Sequence, residues 1–138
     1  MRNSNASVWF EIYVDDMDRA SKFYEHVLDV KLETLPNPGD DSLQMKSFPG
    51  DMEKYGANGA LVKMEGVKAG GNSSLIYFGS EDCITEENRV EKAGGKIFKP
   101  KMSIGEFGFI SLFYDTEGNM IGVHSMKYSL KETYDDKA

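Results

Sequence analysis

Cysteine, histidine and long apolar segments are scarce in this sequence, and each scarcity excludes a class of protein. The 138 residues contain one cysteine, Cys83, and two histidines. One cysteine cannot form a disulfide within the chain and is typical of a reducing compartment. Two histidines are too few for a multi-histidine metal site. No apolar run reaches the length of a membrane span and no signal-peptide pattern is present, so we expect a cytoplasmic protein with no membrane partner.

Basic residues are also fewer than acidic residues. Lys and Arg number 16 against 23 Asp and Glu, which gives a formal net charge of −7. Nucleic acids and anionic membranes repel such a chain unless a basic patch faces them. The nearest approach to a patch is KIFKPK, in which Lys96, Lys99 and Lys101 alternate with other residues, as on the solvated face of an edge strand. The sequence therefore predicts no nucleic-acid partner.

The sequence does contain an internal repeat. The segment VWFEIYVDDMDRASKFYEHVLDVKLE begins at Val8, and SLIYFGSEDCITEENRVEKAGGKIFK begins at Ser74. A constant offset of 66 residues aligns Trp9 with Leu75 and Asp16 with Asp82. Each copy has an alternating strand, an acidic turn, an amphipathic helix and another strand. A chain of this length forms one domain, so the two copies must share one architecture.

The alternation of apolar and polar residues, and the turn residues between segments, predict the secondary-structure elements of each copy. The first strand separates two faces, and its helix runs from Asp18 to Leu28 with an apolar stripe. Further strands are predicted near 30–36, 42–48 and 59–66, and near 96–102, 107–114 and 119–126. The sequence thus predicts a single α+β domain over 1–138. Two tandem βαβββ modules, at about 7–66 and 73–126, form a curved eight-stranded sheet around a cleft, followed by a polar tail at 127–138.

Three motifs resemble a known family. They are VDDMDRASKFY at 14–24, AGGK at 93–96 and DTEGNMIGVHS at 115–125. These segments resemble the vicinal oxygen chelate superfamily, which includes glyoxalase I, bleomycin-resistance proteins, extradiol dioxygenases and fosfomycin-resistance proteins. The resemblance extends over about 8–126 and is strongest to uncharacterised proteins related to lactoylglutathione lyase. It also implies a homodimer.

The resemblance implies four metal-ligand positions, one on each of four strands. Carried over by position, they fall on Trp9, Lys63, Leu75 and Gly122. An indole N–H, a protonated amine, an isobutyl group and a glycine offer no lone pair to a divalent cation. We therefore predict no metal and no other cofactor.

Strand parity predicts the residues that line the cleft. Candidate catalytic groups are Glu11, His124 and Lys63, and candidate ligand-binding residues are Trp9, Tyr13, Leu75, Tyr77, Met120 and Gly122, with Leu61 on the same wall. Several of these residues have a simpler interpretation. In that interpretation, Glu11 forms a salt bridge with Lys63, His124 is merely hydrogen-bonded near the end of its strand, and the aromatic rings of Trp9, Tyr13 and Tyr77 fill a core.

Two functions of different classes follow for this small-molecule-binding protein. One is a metal-independent lyase or isomerase, in which Glu11 moves a proton next to a carbonyl and Lys63 or His124 stabilises the oxyanion. The other is a protein that holds or sequesters a ligand between aromatic walls without chemistry, as the resemblance to bleomycin-resistance proteins implies. A displaced metal held by Glu11 and His124 is a weaker third possibility, because catalytic zinc sites usually have three protein ligands.

Overall fold

The computed structural model describes residues 5–36, 42–51 and 53–126. The first module contains β1 (Trp9–Tyr13), α1 (Met17–Leu28), β2 (Glu33–Thr34), β3 (Leu43–Ser47) and β4 (Asn58–Met64). The second contains β5 (Tyr77–Gly79), α2 (Cys83–Val90), β6 (Lys96–Ser103), β7 (Phe109–Tyr114) and β8 (Met120–Ser125), with a 3-10 turn at Gly105–Phe107 between β6 and β7. The predicted polar tail, 127–138, lies outside the described residues.

The two modules have the same sheet topology. Each is a four-stranded sheet, in the orders β1-β4-β3-β2 and β5-β8-β7-β6. In each sheet the first strand is parallel to the last strand of its module, and the other neighbours are antiparallel. The predicted α+β fold of two βαβββ modules is confirmed. The eight strands form two four-stranded sheets rather than the single curved sheet that was predicted, and β2 is shorter than the sequence pattern predicts because only two of its residues pair with β3.

Both helices begin at aspartates that the repeat places in register. Asp16 precedes α1 with extended backbone and accepts a hydrogen bond from the Arg19 amide, and Asp82 precedes α2 and accepts one from the Ile84 amide. A carboxylate at this position satisfies an otherwise unpaired helix amide and interacts well with the helix dipole. The helix predicted from Asp18 therefore begins one residue earlier, at Met17.

One apolar core joins the two modules. The predicted stripe of α1 is buried at Ala20, Phe23, Tyr24 and Val27. Phe23 contacts Phe113 of β7 with ring centroids 6.1 Å apart. Aromatic rings continue this core between β1 and β5, where Phe10 and Phe78 meet edge to face at 5.7 Å, and Phe48 packs on both. Edge-to-face contacts of this kind stabilise a core beyond the area that they bury.

The register of β4 corrects one set of predicted positions. Glu11 pairs with Ala60, Ile12 with Leu61 and Tyr13 with Val62. Directly paired residues share a face, so Leu61 lies with Ile12 on the helix side, where it is fully buried. Lys63 shares that parity. The prediction that Leu61 and Lys63 line the same wall as Glu11 is therefore wrong, and Ala60 and Val62 occupy that wall instead.

A buried carboxylate from the β7–β8 turn joins the two modules. Glu117 accepts hydrogen bonds from the Asp15 and Asp16 amides at 2.9 and 2.8 Å, and from two guanidinium nitrogens of Arg19 at 2.7 and 3.0 Å. Burial opposes ionisation of Glu117, but the bonds from Arg19 and the two amides outweigh it, so the pKa of this carboxyl is lowered. The second module thereby supplies an acceptor to the start of the first module's helix.

A second carboxylate of the same turn is deeper. Asp115 accepts hydrogen bonds from the Tyr24 hydroxyl at 2.5 Å and from the Glu117 and Asn119 amides. Burial raises the pKa of Asp115, and its hydrogen bonds offset only part of that shift. The DTEGN motif therefore acts as a polar junction in addition to turning the chain.

No helix in the described part of the chain is long and apolar enough to span a membrane.

Candidate functional site

Three side chains on the open face of β1 form a hydrogen-bonded row. Glu11 accepts from the Trp9 indole N–H at 3.3 Å and from the Tyr13 hydroxyl at 2.9 Å. The hydrogen bond to Glu11 is the main cause of the raised pKa of Tyr13. Burial and the negative charge of Glu11 raise this pKa further. The predicted alternation of β1 is confirmed, since these residues share one face. The predicted salt bridge between Glu11 and Lys63 is wrong, because Lys63 belongs to the opposite face and the donors to Glu11 are aromatic.

The position that the resemblance assigns to the fourth metal ligand is filled by a ring. Gly122 pairs with Tyr77, and a Cβ added at Gly122 would lie 2.5 Å from Cδ1 and Cε1 of Tyr77. Real Cβ atoms do not approach carbon so closely, so the Tyr77 ring already occupies the space into which any side chain at position 122 would extend. An aromatic side chain replaces the ligand at this corner.

The remaining metal positions fit a cation no better. Because Glu11 and Tyr77 are equivalent in the repeat, their partners Ala60 and Gly122 are equivalent too, so the second ligand position falls on Ala60 rather than Lys63. Trp9, Ala60, Leu75 and Gly122 provide no lone pair for a divalent ion. Within the described residues no group of three or more His, Cys, Asp or Glu is arranged to hold a metal. The family's metal does not fit these residues.

The open face of β5 and β8 forms one wall of a cavity of about 590 Å³. Tyr77 and His124 come from these strands, Ile110 comes from β7, and Tyr55 comes from the loop before β4. The described residues that line it are Phe10, Tyr55, Gly56, Ala57, Tyr77, Phe78, Gly79, Ile104, Ile110 and His124. This volume lies in the range of about 300–1,000 Å³ that is usual for small-molecule sites, and so does the mainly apolar lining.

His124 is the only imidazole in this lining, and its tautomer is fixed by its partner. Its Nε2 lies 2.6 Å from the backbone oxygen of Phe107, in the turn between β6 and β7. A carbonyl oxygen only accepts, so Nε2 carries the proton and donates it. In the neutral ring, Nδ1 is then the acceptor. The prediction that His124 is hydrogen-bonded near its strand end is confirmed.

The structure separates the predicted site residues into several cavities. Tyr77 and His124 share the cavity of about 590 Å³. Trp9 lines a second of about 620 Å³, Glu11 and Tyr13 line a third of about 190 Å³, and Leu75 and Met120 line a fourth of about 410 Å³. Glu11 and His124, the predicted catalytic pair, thus line different cavities.

Strand parity did not identify the loop residues of the cavity beside β5 and β8. Tyr55 and Ala57 precede β4, and Ile104 follows β6, so none lies at an alternating strand position. Tyr55 is 97% exposed, so its aromatic ring is a solvent-exposed part of this lining. The only sequence signal is the pair of glycines that flank an aromatic residue at 105–108, which marks the turn that carries the Phe107 carbonyl.

Known proteins share this fold. A glyoxylase-like domain-containing protein from Didymella fabae is 30% identical over 112 residues, which cover 79% of this chain and 84% of that protein. The trypanothione-dependent glyoxalase I of Leishmania major superposes with a TM-score of 0.66 at 21% identity, covering 96% of this chain and 95% of that one. A glyoxylase/bleomycin resistance protein/dioxygenase domain from Frankia sp. EAN1pec gives a TM-score of 0.66 at 18% identity, over 91% and 99% of the two chains.

Glyoxalase I of Zea mays, in its E144Q variant, gives a TM-score of 0.68 at 24% identity and covers 86% of this chain, which spans about half of the maize chain (46%). These structures show the fold alone. The family model matches residues 7–123. This chain therefore belongs to the glyoxalase/bleomycin resistance protein/dioxygenase superfamily.

Proposed function

We propose that this protein binds a small organic molecule in the cavity beside β5 and β8, without the family's metal, and holds it without chemistry. The observation that carries this proposal is the cavity of about 590 Å³, with Tyr77 along one wall and His124 as its single imidazole. One side of the Tyr77 ring packs on Gly122, and the residue remains 44% exposed. The open side of the ring is a surface on which a ligand stacks.

Three features favour binding over a lyase or isomerase mechanism. Glu11 and His124 line different cavities, so a ligand in the cavity beside β5 and β8 meets His124 but not Glu11. Lys63 belongs to the helix-side face of β4. Both oxygens of Glu11 already accept hydrogen bonds from the rings of Trp9 and Tyr13. Proton transfer in catalysis requires the base within hydrogen-bond reach of the reacting atom.

The experiment is a metabolite screen by thermal shift, followed by calorimetry on the compounds that stabilise the protein. We expect Tyr77→Ala to remove most of the stabilisation by such a compound, whereas Glu11→Gln leaves its affinity unchanged. Each bound compound is then followed by proton NMR for conversion. Turnover that Glu11→Gln abolishes at unchanged affinity would contradict the binding function and restore the lyase or isomerase mechanism.

We also propose that the chain forms a homodimer and resides in the cytoplasm. The resemblance implies the dimer, and the exposure of Trp9 (43%) on the open face of β1 supports it. The single cysteine favours a reducing compartment. Sedimentation of the purified protein at several concentrations tests the dimer, and one species with the mass of a single chain would contradict it.

A further inference from the structure

The lining of the cavity beside β5 and β8 contains no fully charged side chain. Among its described residues there is no Asp, Glu, Lys or Arg, and the polar side-chain groups belong to His124, Tyr55 and Tyr77. A ligand charge desolvated there would have no opposite charge beside it, and an unpaired buried charge is strongly unfavourable. The formal net charge of −7 adds a long-range penalty for anions. The cavity therefore discriminates against carboxylates, phosphates and thiol peptides that carry carboxylates.

A desolvated organic cation would meet no carboxylate in this lining. A cation can bind over an aromatic face, but Phe10 and Phe78 contact each other edge to face and pack against Phe48. Glu11 lines another cavity and already accepts two hydrogen bonds. The exposed rings of Tyr55 and Tyr77 remain, and they offer a flat neutral ligand a stacking surface but supply no full negative charge to a cation.

His124 gives the cavity one directional acceptor. Its Nε2 proton is donated to the Phe107 carbonyl, which leaves Nδ1 of the neutral ring with a lone pair. No described residue donates a hydrogen bond to Nδ1. A ligand that presents an N–H or O–H to this atom gains a hydrogen bond, and a ligand with only acceptors does not.

We infer that the cavity takes an uncharged, flat molecule that stacks on Tyr77 and donates an N–H or O–H hydrogen bond to Nδ1 of His124. This inference rests on the proposed function, because it names the class of ligand for the same cavity. It assigns His124 to ligand selection and requires no metal and no proton transfer.

Four probes of one shape test the ligand class by calorimetry on the full chain at pH 8. They are 2-naphthol, 2-methoxynaphthalene, 2-naphthoate and 2-naphthylmethylammonium. We expect 2-naphthol to bind about fivefold more tightly than the methoxy compound, since one hydrogen bond contributes about 1 kcal/mol. Both charged probes should bind more weakly than 2-naphthol.

Variants of His124 assign the preference to its ring. His124→Phe should bind 2-naphthol and 2-methoxynaphthalene equally, and His124→Gln, which keeps an acceptor, should restore part of the preference. Lys22→Ala, on the exposed side of α1, is the matched control and should behave as wild type. If His124→Phe does not fold, the comparison of the four probes on the wild-type chain still decides the ligand class.

The outcomes separate the two proposals. Tighter binding of either charged probe, or a preference for 2-naphthol that persists in His124→Phe, overturns the ligand class and leaves the binding function intact. If the screen finds ligands whose affinity does not depend on Tyr77, the proposed cavity fails as well. If 2-naphthol binds most tightly and its advantage disappears in His124→Phe, the inference stands.

Discussion

The Tyr77 ring lies against the backbone of Gly122, so that a Cβ at position 122 would be 2.5 Å from two of its ring carbons. The two residues are direct partners in the β5–β8 ladder. A glycine opposite an aromatic residue lets the ring approach the neighbouring backbone closely. At the position where the resemblance implies a metal ligand, this chain therefore has an aromatic contact.

Gly122→Ala tests this contact. The added methyl group should force Tyr77 and Leu112 to move and reduce the free energy of unfolding by about 1–3 kcal/mol, as overpacking does. Urea denaturation measures the change. Gly79→Ala is the matched control, because a Cβ at Gly79 in β5 meets no atom within 4 Å. In a Tyr77→Ala background the cost of Gly122→Ala should fall, and equal costs in both backgrounds would show that the ring does not fill the corner.

Metal content is a second prediction. Because Trp9, Ala60, Leu75 and Gly122 offer no lone pair, elemental analysis of the purified protein should find no stoichiometric Ni, Zn, Fe or Mn. EDTA should leave the melting temperature unchanged. One tightly bound ion per chain, with a lower melting temperature after chelation, would refute this prediction and reopen the possibility of a displaced site at Glu11 and His124.

The sequence predicted the first strand well because the alternation of its side chains depends only on neighbouring residues. Alternation separated Trp9, Glu11 and Tyr13 from Phe10 and Ile12, and the structure keeps that division. The same alternation within β8 correctly grouped Met120, Gly122 and His124, which pair with Tyr114, Leu112 and Ile110 of β7. Periodicity within one strand is sufficient for such assignments.

Register between strands is not predictable from periodicity within one strand. Aligning GALVKME at 59–65 with GNMIGVH at 118–124 makes Lys63 equivalent to Gly122, but the partner of Glu11 is Ala60, and the loops before β4 and β8 differ in sequence. A shift of one residue reverses the face of every side chain, so an alignment without pairing information places Lys63 and Leu61 on the wrong side. The bond from His124 to Phe107 and the contacts of Glu117 with α1 are also non-local, and no pattern in the sequence marks them.

Glu117→Gln should destabilise the junction between the modules. The amide keeps one acceptor oxygen, but it loses the charge that Arg19 and the two amides at the start of α1 bind. We expect the free energy of unfolding to fall by about 1–3 kcal/mol, which is typical for hydrogen bonds to a charged group. Glu81→Gln, an exposed acid beside the equivalent turn of the second copy, should change it little. Equal effects in the two variants would refute the assigned role.

The same carboxylate predicts a pH dependence. The folded pKa of Glu117 is lowered from the ordinary value of 4.5, so its contribution to stability is complete above pH 4.5 and is lost as the pH falls through the folded pKa. Wild type and Glu117→Gln should therefore differ most near neutral pH and converge in acid. Chemical denaturation from pH 7 down to acid measures this, and a constant difference across the range would contradict the assignment.

Cys83 should be inert in the native protein. It is fully buried at the start of α2. Burial raises the pKa of its thiol, and a hydrogen bond with Ser125 offsets only part of that shift. Because the thiolate is the reactive form, a thiol reagent such as Ellman's reagent should modify Cys83 only after denaturation. Stoichiometric labelling of the folded protein within minutes would contradict this account.

The Glu117 contacts make the two copies of the repeat non-equivalent. Five residues before Gly122 the second copy has Glu117, whereas five residues before Ala60 the first copy has Tyr55. A protein assembled from two first copies would lack the acid that the start of α1 requires, and one assembled from two second copies would lack Arg19. A chain cut in the linker at 68–72 would yield halves that are each incomplete, so duplication here has produced complementary parts rather than two independent domains.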